Sequence, residues 1–101
     1  MGPLVVLIAA TLAQAPEADC SCRDVKLWGR VKVVKLESHA DLRVQVVKRF
    51  ENLRVKKVKR LPNRCGRWQF VRSLPDFKIL LVKTRPDLRI RFVQHRPGFP
   101  D

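Results

Sequence analysis

Glycine, cysteine, histidine and acidic residues are all scarce in this chain, and each shortage closes off a class of function. Four glycines beside seven prolines in 101 residues exclude a collagen-like or low-complexity chain. Gly29, Gly66 and Gly98 stand alone, so no glycine-rich loop is available to cradle phosphates. Zinc is excluded by ligand supply: a structural site takes about four ligands, whereas Cys20-Ser21-Cys22 has a one-residue spacer and His39 and His95 lie in unrelated places. No metal or other cofactor is therefore expected. Long hydrophobic runs are also missing, since Leu4 to Ala13, interrupted by Thr11, falls well short of the ~20 apolar residues of a membrane-spanning helix. What remains is one small basic domain. At 46% hydrophobic the chain is too apolar for a disordered tail, and its 22 Lys and Arg against 9 Asp and Glu give a formal charge of +13.

The charge is unevenly placed. Residues 1–22 contain no Lys or Arg, so every base lies in the remainder. The run Leu4 to Ala13 has the length of a signal-peptide core, and Ala13-Gln14-Ala15 has the small-x-small form of a cleavage site. The organisation expected is an export signal over residues 1–15, a short linker over 16–22 and a single domain over 23–101, with the mature protein periplasmic or secreted. Pro16 disfavours cleavage directly before it, which makes the bond after Ala13 the alternative. Three cysteines in an exported chain imply one disulfide and one free thiol. Cys65 then bonds one of the N-terminal pair; Cys22–Cys65 is the candidate, with Cys20–Cys65 as the other possibility.

From residue 30 the chain is a repeat. Val71-Arg72-Ser73-Leu74-Pro75-Asp76, Val82-Lys83-Thr84-Arg85-Pro86-Asp87 and Val93-Gln94-His95-Arg96-Pro97-Gly98 are its clearest copies. Val58 to Asn63 is a fourth, and the units beginning at Val34 and Val47 are degenerate copies without the proline. The anchor valines recur about every 11 residues. Before each turn comes a short alternating segment such as Leu88-Arg89-Ile90-Arg91-Phe92, the pattern of a strand with one face buried and one wet. Phe77 to Val82 is more continuously apolar and reads as a strand buried on both faces. Prolines 62, 75, 86 and 97 exclude long helices and are expected to end the strands. The fold class is thus all-β, built of strand-turn units, with Leu42, Val44, Val46, Ile79, Leu81, Ile90 and Phe92 in the core. Gly66, in the insert Arg64 to Phe70, divides the units into two arrays, about 24–63 and 66–98. By periodicity alone such units would stack as an unknotted solenoid or meander.

The phrases Asp24-Val25-Lys26-Leu27-Trp28-Gly29-Arg30-Val31-Lys32-Val33-Val34 and Cys65-Gly66-Arg67-Trp68-Gln69-Phe70-Val71, together with the tandem turns, resemble the 7(1) septoil knot domain family of small bacterial proteins. The resemblance runs over about residues 22–98. It implies a compact, mostly β monomer whose backbone is deeply knotted, a 7(1) knot being a regular winding of two strands. Against the family pattern, the position after each anchor valine is basic here (Lys35, Lys48, Lys59, Arg72, Lys83) where an acid is usual.

Catalysis has little to stand on. Ser38-His39-Ala40-Asp41 holds the residue types of a nucleophilic triad, yet it occupies a degenerate turn, and triads are defined by geometry rather than by local sequence. The chain is therefore read as a structural or interaction module and not an enzyme. The strongest functional feature is charge: bases alternate with apolar residues along the strands, and Arg54 to Arg60 carries five in seven residues. Arg54, Lys56, Lys57, Lys59, Arg60, Arg89 and Arg91 are the candidate anion-binding residues. The alternative function is accordingly a cationic binder of a polyanion such as nucleic acid, an anionic envelope polymer or a membrane surface. The same charge would also serve solubility and blunt strand edges.

Overall fold

The computed structural model describes residues 20–100. The export signal proposed for 1–15 and residues 16–19 of the linker lie outside the described residues, as does Asp101. Two short strands, β1 (Ser21–Cys22) and β2 (Val25–Lys26), pair antiparallel. Six more follow: β3 (Gly29–Val34), β4 (Leu42–Val46), β5 (Leu53–Lys57), β6 (Arg67–Phe70), β7 (Phe77–Leu81) and β8 (Leu88–Phe92). A single 3-10 turn over Glu37–His39 is the only helical piece among the described residues.

The six strands close into a barrel of order β3-β6-β5-β8-β4-β7, and every neighbouring pair in it is parallel. Strands of the first array, β3, β4 and β5, alternate round the wall with those of the second. This replaces the solenoid or meander suggested by periodicity, in which consecutive strands would be neighbours. Only β5 and β6, joined by the insert that divides the arrays, are adjacent in both chain and barrel. Each step round the wall shifts the pairing by two residues: Val31 faces Phe77, Ile79 faces Leu42 and Val44 faces Leu88. The strands consequently tilt steeply, because stagger and tilt are linked when a sheet closes.

Parallel neighbours ordinarily need long crossovers, yet here the links are short, because all but the β5–β6 link hop over a single strand of the other array. Val47 donates its amide to Ile90 O at 2.8 Å on one side of β8, and Asn52 donates to Arg89 O at 2.8 Å on the other. Residues 47–52 therefore arch across the outside of β8. In the same way 82–87 cross β4, held by Val82 to Val44 O at 2.9 Å and Asp87 to Arg43 O at 2.8 Å. The arch 71–76 crosses β3 through Val71 to Val31 O and Asp76 to Arg30 O. From Val47 onward the anchor valine is thus the first residue past a strand, and its amide closes the ladder, whereas Val34 is the last residue of β3. The prolines lie five residues beyond the strand ends and two before the next strand in Pro75-Asp76-Phe77 and Pro86-Asp87-Leu88, so they prepare the following strand instead of terminating the preceding one.

In five of the six turns of the repeat one residue takes the left-handed conformation: Phe50, Leu61, Leu74, Arg85 and Arg96, with φ between 53° and 64°. None is glycine, which is uncommon for such φ values, and all five occupy the same position of the repeat. The acid or amide that ends an arch does more than form a turn. Asp41, Asp76 and Asp87 each accept, through Oδ2, the amide of a residue on another strand (Lys78, Arg30 and Arg43 respectively) at 2.8 Å, and Asn52 Oδ1 accepts from Arg89 at 2.9 Å. These are clamps between the arrays. They give the amides near the strand starts acceptors on the other array.

Inside the barrel Val31, Val44, Val55, Trp68, Ile79 and Ile90 form a fully buried girdle, one from each strand. Leu42, Leu53, Phe77 and Leu88 lie two residues earlier and are also buried. Two residues later the pattern changes. Val46, Leu81 and Phe92, expected in the core, are 48%, 50% and 36% exposed, because they stand at the open end of the barrel with no further layer above them. β7 is likewise one-faced: Lys78 is exposed and Leu80 only half-buried.

The other end is sealed. Leu27 is fully buried, Trp68 donates its indole N–H to Leu27 O at 2.9 Å, and Gly66 N donates to the same oxygen. The disulfide there joins Cys20 to Cys65, leaving Cys22 as the free thiol, which corrects the Cys22–Cys65 candidate. Cys20 has φ 50° and is buried beside Leu27, whose amide it accepts at 2.9 Å, whereas Cys22 Sγ is directed at Asp87 O. Residues 20–22, assigned to the linker from sequence, are thereby joined to the domain.

Candidate anion-binding surface

Alternation places two residues of each barrel strand on the outer wall, and three on the longer β3, and nine of these thirteen are Lys or Arg. They are Arg30 and Lys32 on β3, Arg43 on β4, Arg54 and Lys56 on β5, Arg67 on β6, Lys78 on β7, and Arg89 and Arg91 on β8; Val34, Gln45, Gln69 and Leu80 complete the set. Inward positions are filled by the core, so the bases have no alternative to the wall. Carboxylates balance some of them. Asp76 lies 3.9 Å from Arg30, and Asp87 lies 3.8 Å from Arg43 and 3.6 Å from Arg23.

Of the candidate residues, those on β5 and β8 are brought together, because the two strands are neighbours and Arg54 stands opposite Arg91. Like charges facing each other across a ladder destabilise it, and here Glu51 resolves the conflict. Its Oε2 accepts from Arg54 Nε at 3.0 Å and lies 3.2 Å from Arg91 Nε. A backbone hydrogen bond, then the two guanidinium groups, hold its carboxyl below the usual glutamate range. Glu51 stands where four other turns carry proline, and that departure is the sequence signal by which this counter-charge could have been found.

The next pair on the same strand has no such partner. Lys56 of β5 stands opposite Arg67 of β6, and no carboxylate pairs with either among the described residues. Arg67, which sequence reasoning left outside the candidate set, thereby joins it; its Nε is buried without a hydrogen-bond partner in the described structure. Arg89 Nε donates to Gln45 Oε1 at 3.3 Å. Lys59 and Arg60 lie in the exposed turn after β5. Lys57 is not on the wall at all: it belongs to the inward series of β5 and reaches the open end, with Nζ 4.5 Å from the Phe92 ring centre and 5.9 Å from that of Phe70.

The triad residue types are not assembled into a relay. Ser38 and His39 are exposed on the arch across β7, and the Asp41 carboxylate is committed to the Lys78 amide. Cys22 is a poor nucleophile, since burial and then the nearby Asp87 push its thiol pKa up, against the smaller opposing effect of Arg23. Among the described residues no three metal-ligating side chains cluster.

The model of the 7(1) septoil knot domain matches residues 24–100. The chain belongs to the septoil knot family. Its two interleaved arrays, each arching over the strands of the other, give the two-strand winding that the family name denotes. No curated protein sequence matches this septoil knot chain.

Proposed function

We propose that this septoil knot protein is an exported, non-catalytic interaction module that holds polyanions on its basic wall. The observation that carries the reading is the contrast on β5: Arg54 and Arg91 share an internal carboxylate, while Lys56 and Arg67, equally opposed, have none. An external phosphate, sulfate or carboxylate group would do there what Glu51 does one step away. The wall continues the field on both sides, through Arg89 and through Lys59 and Arg60 in the turn after β5. Export is supported by the base-free leader with its Ala13-Gln14-Ala15 site and by the Cys20–Cys65 bond, which suits an oxidising compartment.

Retention on heparin or DNA resin tests the proposal. The protein should stay bound beyond ~0.15 M salt, with steep salt dependence, because each phosphate neutralised releases counterions. Replacing both Lys56 and Arg67 with Gln should lower the elution salt more than replacing Arg54 and Arg91, whose charges are already shared. Elution below ~0.15 M, or equal effects of the two double substitutions, would reject it.

A further inference from the structure

The open end of the barrel is accounted for neither by the interlocked arches nor by the basic wall. The last inward-series residue of each strand lies at this end, and five of the six are apolar: Val33, Val46, Phe70, Leu81 and Phe92, between 36% and 50% exposed. They surround a cavity of about 250 Å³ floored by Ile79. An apolar cavity of ~150 Å³ is enough to hold a benzene ring, while pockets for drug-sized ligands start near 300 Å³. The space therefore suits a small molecule or a short hydrocarbon chain.

The sixth residue of the ring is Lys57. Five strands show that an apolar side chain fits this position, so the geometry does not demand a lysine. Its ammonium is nevertheless kept over the mouth, above the faces of Phe92 and Phe70 at cation–π distances. Every ion pair among the described residues uses another cation. A single cation without a counter-ion, on the rim of an otherwise apolar cup, is complementary to one kind of ligand.

We infer that the mouth binds a small aliphatic carboxylate, its hydrocarbon tail in the cup and its carboxylate on Lys57 Nζ. A polyanion has no tail to place there, so this site is separate from the wall. An amine of the same length meets repulsion from Lys57, and an alcohol lacks the charge-assisted hydrogen bond, which is about twice as strong as a neutral one.

Octanoate, octanol, octylamine and acetate, titrated into the purified full-length protein and followed by NMR of the Val33, Val46 and Leu81 methyl groups, test the inference. Octanoate should shift these signals saturably, octanol should bind at least about tenfold more weakly, and octylamine and acetate should leave them unmoved. Lys57→Met should bring octanoate down to the affinity of octanol, and Lys57→Arg should retain the preference; an unchanged Trp68 indole signal shows that each variant is folded. Lys35→Met, which removes a charge from an exposed arch, should bind octanoate as the wild type does. The inference is overturned if octanoate leaves the methyl groups unshifted up to its solubility limit, if octanol binds equally well, or if Lys57→Met binds octanoate as before. Methyl shifts that depend on protein concentration without ligand would mean that two mouths cover each other, and would overturn it too.

Discussion

Where the six strands begin, Leu27, the Cys20–Cys65 bridge, Trp28 and Phe99 pack over the core; where they finish, a ring of the same repeat's residues stands half in water. The repeat itself treats both ends alike, since every strand except the four-residue β6 offers inward residues at three successive levels. The difference comes from segments outside the repeat. Residues 20–28 and the tail from Gly98 supply the seal, and no described segment supplies one at the mouth. Stability is therefore concentrated in the lower two levels and at the sealed end, which leaves the upper level available for other uses.

The largest expected effect sets one level against the next on a single strand. Ile79→Ala removes a fully buried side chain and should cost ~2–5 kcal/mol. Leu81→Ala, two residues on and half exposed, should cost ~1 kcal/mol or less. Equal losses in denaturant titrations would mean that the mouth is closed in solution and would break the comparison.

Opening the sealed end comes next. Cys20→Ser cuts a bond that closes 45 residues of sequence and should lower stability by ~2–4 kcal/mol. Cys22→Ser, acting on the thiol that points at Asp87 O, should change the melting temperature little. A larger loss from Cys22→Ser would show that the bridge is made by the other cysteine.

Much of this is legible in the sequence. Alternation located the strands, assigned bases such as Lys32, Arg43 and Arg89 to the wall, and Gly66 marked the division between arrays. Resemblance supplied the family. Periodicity tells which face of a strand is buried but not which strand lies beside it, so the interleaving of the arrays was not readable from the repeat. Nor does alternation distinguish levels, which is why Val46 and Leu81 read like Val44 and Ile79. Asp76 and Asp87 fall in the turns of the repeat, and nothing in the sequence marks their partners, Arg30 and Arg43, which lie more than 40 residues away. The disulfide partner of Cys65 was open in the same way, because Cys20 and Cys22 stand two positions apart and no residue type there signals which of them is the buried one.

Those clamps give the third prediction. Asp87→Ala removes the acceptor of the Arg43 amide and should cost ~1–3 kcal/mol. Asp87→Asn should restore most of it, since Asn52 serves Arg89 in the same way on the next arch. Hydrogen exchange of the Arg43 amide reads the effect directly. Protection unchanged in Asp87→Ala would show that the backbone ladder alone holds the arch.

The smallest effect is a pH dependence, and it separates the two opposed pairs on β5. Glu51 has a side chain 7% exposed, bonded to Arg54 and beside Arg91, and its carboxyl titrates below the usual range. A group whose folded pKa lies below its unfolded value, ~4.3 for glutamate, contributes its full stability above that value and loses it as the pH falls through the lower one. The melting temperature of Glu51→Gln should thus lie below that of the wild type at neutral pH, and the gap should narrow on acidification below ~4. A gap that stays constant or widens would remove Glu51 as the charge that reconciles Arg54 with Arg91. Added sulfate at neutral pH sharpens the contrast. It should raise the melting temperature of the wild type through Lys56 and Arg67, and that of Glu51→Gln by more, because the substitution leaves a second opposed pair without a carboxylate.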